Sequence, residues 1–145
     1  MKKQLAVLSL GICLLMTGCP KNATTLQKCA TASDQAAVIV QGFQTAEITA
    51  HQQGLIPDVD HTFIQKELQT LGHIGITTDS CIRNATNNGT ALGCTNAAIA
   101  QVNQIYLDGG LYLKSPKAKS DFQLALTGVK GVLTALSVVL GGPVN

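Results

Sequence analysis

Cys81 and Cys94 are the residues whose type and spacing point most directly to chemistry. Their midpoint falls between Asn87 and Asn88 in the run Asn87-Asn88-Gly89-Thr90, whose residues tolerate the left-handed backbone and mark a turn. Residues equidistant from a turn stand at equal height on two antiparallel helices. A disulfide forms there if the two Cα atoms come within about 4.4–6.8 Å. It would close a loop of roughly 14 residues, worth about 3 kcal/mol in chain entropy. The pair lacks the close C-x-x-C spacing of a redox centre, so the expectation is a structural staple. Cys29 falls near the start of the first helix, at the same end as that turn, and can replace either partner. Left unpaired, it serves as a small apolar residue or as a bridge to another molecule.

His51 and His61 flank a second turn centred on Ile56, with Glu47, Asp58 and Asp60 close by in sequence. Imidazoles and carboxylates are ligands for first-row metals, but no recognised spacing such as H-E-x-x-H is present. Solvated side chains around an exposed turn are expected, with no metal and no other cofactor; a metal site using His51 and His61 is the weakest alternative. His73 stands alone. Lys114, Lys117 and Lys119 form a small basic cluster that reads as a solvated face, or as a contact for anionic lipid. Asn22, Asn84 and Asn88 each begin an Asn-x-Thr triplet, read here as ordinary helix-end and turn residues. No G-x-S-x-G, Ser-x-x-Lys, phosphate-loop or dinucleotide pattern occurs. No catalytic residue is assigned, and the chain is expected not to be an enzyme.

Where these residues work is announced at the N-terminus. Lys2 and Lys3 precede the apolar run Leu5 to Met16, and Met16-Thr17-Gly18-Cys19 follows. A positive start, an apolar stretch and small residues before a cysteine make an export signal. The ending resembles the lipobox of bacterial lipoprotein precursors, with Met16 where that family mostly carries Leu, Val or Ile. The resemblance covers residues 1–19 only. It implies a signal peptide over 1–18 and Cys19 as the lipidated N-terminus, carrying acyl chains such as palmitate. It further implies a tether over 19–23 and a protein facing the periplasm or exterior. Pro20, in place of the aspartate that retains enterobacterial lipoproteins at the inner membrane, favours the outer membrane in a Gram-negative host. An exported protein meets an oxidising environment, in keeping with a disulfide.

Of ten basic residues, Lys2 and Lys3 leave with the signal, so eight face eight acidic residues and the net charge falls from +2 to zero. Charged residues are 12% of the chain, against roughly 25% in typical domains. A neutral surface of amides and hydroxyls steers poorly toward polyanions, so no nucleic-acid partner is expected. The partners expected are the membrane, through the anchor, and either an unidentified envelope protein or a second copy.

The elements that position these residues read as four helices over 24–142, an all-α, up-down-up-down four-helix bundle. Asn22 to Gln53 has Leu26, Cys29, Ala32, Ala36, Ile39, Val40, Phe43, Ala46 and Ala50 at steps dominated by three and four, ending at Gly54. The second helix starts near Asp58 or Asp60, whose carboxylates are expected to cap it. Its stripe is Val59, Phe63, Ile64, Leu68, Leu71, Ile74, Thr78, Cys81, Ile82 and Ala85, with a kink or break expected around Gly72 and Gly75. The third carries Ala91, Leu92, Cys94, Ala98, Ile99, Val102, Ile105 and Tyr106, and ends at Gly109-Gly110. Ser115-Pro116 starts the fourth, which buries Ala118, Phe122, Ala125, Leu126, Val129, Val132, Leu133, Leu136, Val139 and Leu140 and stops at Gly141-Gly142-Pro143. Lys130 is the sole charge from Phe122 to Leu140, so a membrane-active role for this helix is the alternative to a binding or structural bundle.

Overall fold

The computed structural model describes the backbone over residues 25–143, with the side chains of Asp34 and of residues 36–143. Helix α1 spans Thr25–Gln52, α2 Asp58–Arg83, α3 Asn88–Tyr112 and α4 Pro116–Val139. The described residues are almost wholly helical and contain no strand. Each helix packs on its neighbours in sequence, and α4 closes the ring against α1. The bundle is therefore four antiparallel helices joined by short turns. Residues 22–24 of the expected first helix, together with Cys19, lie outside the described residues, as does the side chain of Cys29.

Capping chemistry sets most of the helix ends. Asn87 accepts the Thr90 N–H at 2.9 Å and opens α3. Ser115 accepts from Ala118 N ahead of Pro116, where a missing N–H is no loss. At the close of α1, Gly54 has φ +70° while Leu55 N donates to Ala50 O and Gly54 N to His51 O. Gly141, Gly142, Ser137 and Val138 repeat that pattern after α4. Both are paired-bond caps that use a glycine in the left-handed region.

The break expected around Gly72 and Gly75 and the stop expected at Gly109-Gly110 are overturned. Helix α2 runs unbroken through Gly72 and Gly75, because the packed stripe from Ile64 to Ile82 outweighs about 1 kcal/mol of propensity at each glycine. Helix α3 does not end at Gly109-Gly110 but continues to Tyr112. Gly109 is buried, and a Cβ there would lie 2.7 Å from the Phe122 ring. It is a close-approach residue rather than a stop. The expected cap of α2 is also corrected. Pro57 occupies the cap position without a side-chain bond; Asp58 and Asp60 stand in the first helical turn, Asp58 exposed near His51 and Asp60 bonded to the α3–α4 turn.

The core centres on Phe122, which is fully buried. All three phenylalanines of the chain meet there, with Phe43 and Phe63 ring centroids 5.9 and 6.2 Å from Phe122. Ile64, Ile82, Ala98, Val102 and Leu126 extend the same layer system along the bundle. Val59, Tyr106, Val139 and Cys81, expected on buried faces, are exposed instead. Their positions lie at the edges of the apolar stripes, where the neighbouring helix no longer covers them.

Candidate functional site

The densest polar arrangement sits at the α1–α2 turn, at the end of the bundle opposite the start of α1. Glu47 lies on the core side of α1, in helical step with Phe43 and Ala50, and its side chain is 0% exposed. Its two carboxylate oxygens are both occupied. His61 Nδ1 donates to Oε1 at 2.8 Å, and Gln65 Nε2 donates to Oε2 at 2.6 Å. His51 Nδ1 donates to the Ile56 carbonyl at 3.0 Å, because a carbonyl can only accept. The two imidazoles stack with centroids 3.9 Å apart and planes 3° from parallel. Asp58 Oδ1 stands 3.7 Å from His51 Nε2, on a fully exposed side chain.

This geometry locks the turn by its side chains. Each imidazole uses Nδ1 as a donor and keeps about a quarter of its surface in solvent. A carboxylate that orients a histidine is the arrangement that prepares a general base, yet no Ser, Thr or Cys among the described residues is hydrogen-bonded to either ring. As placed, the two rings do not converge on a shared ion. Imidazole lone pairs lie in the ring plane, and two parallel planes a ring-stacking distance apart cannot both point at one ion about 2.0–2.1 Å away. Among the described residues, no group of three or more His, Cys, Asp or Glu is placed to hold a metal.

Asp60 does not cap α2; its carboxylate bonds the other turn. It is 1% exposed, and its carboxylate accepts Lys114 N at 2.9 Å and Ser115 N at 2.6 Å. One buried carboxylate therefore ties the α1–α2 side of this end to the α3–α4 turn, 54 residues away. The basic cluster around that turn is solvated: Lys114 is exposed, and Lys117 pairs with Asp121 one turn along α4.

At the opposite end, Cys81 and Cys94 form a disulfide with Cα atoms 6.0 Å apart. It spans α2 and α3 at the height set by the Asn87 turn. Beside it runs a groove of about 240 Å³ lined in part by His73, Ile74, Thr77, Cys94, Ala98 and Gln101. His73 thus borders a trough, at some distance from the His51–His61 pair, and sequence spacing alone had assigned it nothing. Arg83 closes α2 nearby, with Asp79 one turn before it and Asp34 of α1 at 3.6 Å. The hydrogen bond that Arg83 donates to the Asp79 carboxylate raises the guanidinium above its already high ordinary value, so Arg83 stays charged at any physiological pH.

Of the Asn-x-Thr positions, Asn84 caps α2 and Asn88 opens α3, and Asn22 lies outside the described residues. Helix α4 is long and apolar enough to cross a membrane by length and composition, with a mean hydropathy of 1.6. In the bundle, its Phe122, Leu126, Val129 and Leu133 are buried against the other helices. Sequence reasoning missed the buried roles of Glu47 and Asp60. The available signal was their spacing: Glu47 follows Phe43 by four, and Asp60 precedes Ile64 by four, which puts a carboxylate on each core stripe.

No protein-family model matches the chain, and neither the curated proteins nor the solved structures contain a match to it.

Proposed function

We propose that this protein is a lipid-anchored component of the bacterial cell envelope, acting as a non-enzymatic binding or structural bundle. The observation that carries this reading is the lipobox-type ending at Cys19, a few residues ahead of a bundle stapled by Cys81–Cys94. A disulfide between helices is at home in an oxidising, exported setting. The polar cluster at the α1–α2 turn supports the binding or structural half. Its acceptors are consumed in holding two turns together, as expected of a scaffold that presents a surface.

The test is replacement of the acceptor thiol. Cys19→Ser in the full chain should release the protein from the membrane fraction or leave it unprocessed. Unchanged processing with unchanged membrane retention would remove the anchor from the reading. Mild crosslinking of the membrane fraction, followed by mass spectrometry, then identifies what the bundle binds.

A second reading, insertion of α4 into a membrane, rests on the hydropathy of that helix. Its test must avoid the core. Val132 and Leu136 are buried, so aspartate there would unfold the bundle whether or not α4 inserts. Leu124 and Val138 are exposed, and Leu124→Asp abolishing liposome leakage would support insertion. Absence of leakage from the wild-type chain would end it.

A further inference from the structure

Five large apolar side chains crowd the end of the bundle that carries the α1–α2 and α3–α4 turns. Leu55, Val59, Leu107, Leu111 and Tyr112 are each at least half exposed, Leu111 the most at 71%. Four of them, Val59, Leu107, Leu111 and Tyr112, adjoin along α2 and α3. Val59 lies one turn before Phe63 on α2, and the Phe63 ring stands 5.7 Å from that of Tyr112 on α3. Leu111 adjoins Tyr112, and Leu107 lies one turn back along the same helix. Soluble monomers rarely leave a contiguous apolar patch of more than a few hundred Å² uncovered.

Two observations, together with the anchor proposed above, bear on what covers it. The first is distance. Helix α3 is 25 residues long, about 37 Å at 1.5 Å per residue, and α1 starts at the other end from the patch. The chain from Cys19 to Thr25 reaches at most about 20 Å, so a chain cleaved ahead of Cys19, as proposed above, cannot fold its tether back over the patch. The second is charge. Asp58 borders the patch beside Val59 and is fully exposed, while Lys114 borders it beyond Tyr112 and is exposed as well. A partner of one strong sign would be repelled by one border. A second copy turned by a two-fold axis presents Lys114 to Asp58 and Asp58 to Lys114, so both borders are matched at once. The anchor adds orientation. Two copies anchored in one membrane stand parallel, with their patches at the same height.

The geometry points to a second copy of this chain as the occupant, docked through Val59, Leu107, Leu111 and Tyr112 in a two-fold contact in which each residue meets the same patch on the other molecule. This deepens the binding-module reading above, and its parallel orientation rests on the anchor proposed there. Tyrosine and leucine at the centre with charges at the rim is the usual anatomy of such a contact.

The experiment is sedimentation equilibrium of the full chain, purified in density-matched detergent from whichever cell fraction holds it, across a concentration series. The expected result is a monomer–dimer equilibrium. Leu111→Asp should weaken it by about tenfold or more while circular dichroism and thermal midpoint stay unchanged, since Leu111 is 71% exposed. Asp58→Lys alone and Lys114→Asp alone should each weaken the dimer, and the double reversal should recover it. A wild-type chain that stays monomeric, or forms higher oligomers, overturns the proposal. So does a dimer indifferent to Leu111→Asp, or a double reversal no better than the sum of the singles. Fractionation reads the anchor separately: a dimer in the soluble fraction leaves this interface standing without the anchor, and a membrane-bound monomer does the reverse.

Discussion

Asp60→Ala should be the most damaging single change of a charged residue in this bundle. The carboxylate is buried and accepts two backbone N–H groups, Lys114 at 2.9 Å and Ser115 at 2.6 Å. A hydrogen bond to a charged group contributes about 1.5–3 kcal/mol. Two such bonds, at a turn that is partly open to water once the carboxylate is gone, put the loss at about 2–4 kcal/mol. That is a large share of a stability of about 5–15 kcal/mol. Asp60→Asn should recover part of the loss, because the amide oxygen still accepts one N–H while its NH2 faces the other donor. Urea unfolding followed at 222 nm measures the change as a fall in midpoint at constant slope. The control is Asp58→Ala, two residues away and fully exposed, which should stay within about 0.5 kcal/mol. If Asp60→Ala costs no more than that control, the tie between the two turns is not what holds this end together.

The glycines separate propensity from packing. Gly75→Ala should raise stability by about 0.5–1 kcal/mol, since the site is helical, exposed and has nothing within 4 Å of a new Cβ. Gly109→Ala should lower it by about 1–3 kcal/mol, because the methyl meets Phe122 at 2.7 Å; denaturant midpoints of the two variants should move in opposite directions. Replacing Cys81 and Cys94 together by serine should cost about 2–5 kcal/mol, and the intact protein should yield a Cys81–Cys94 linked peptide on non-reducing mass mapping. Glu47→Gln should loosen the α1–α2 turn by about 1–3 kcal/mol, because the amide cannot accept from both His61 and Gln65; hydrogen exchange should then rise around residues 51–57 before the rest of the bundle.

Local chemistry alone determined the helices and most of their ends. The three- and four-residue steps through Leu68, Leu71 and Ile74, or through Phe122, Leu126 and Val129, leave no alternative to an amphipathic helix. Gly54 and Ser115-Pro116 act through their own backbone geometry, so they are readable without a partner. The Cys81–Cys94 bond was readable for a similar reason: a short antiparallel hairpin converts sequence separation directly into height. Tertiary structure decided whatever depends on a second helix. Gly109 looks like a stop until Phe122 is seen against it, and Gly75 looks like a break until the packed stripe on its other side is counted. Asp60 has cap chemistry at both turns, and only the meeting of α2 with the α3–α4 turn selects the distant one. His51 and His61 could have faced one ion or stacked; ring orientation is set by Glu47 and the Ile56 carbonyl, which sequence spacing does not encode. Likewise, Val59 and Leu71 both belong to the apolar stripe of α2, and burial separates them because Val59 lies at the edge of the stripe while its neighbour Asp60 takes the buried position.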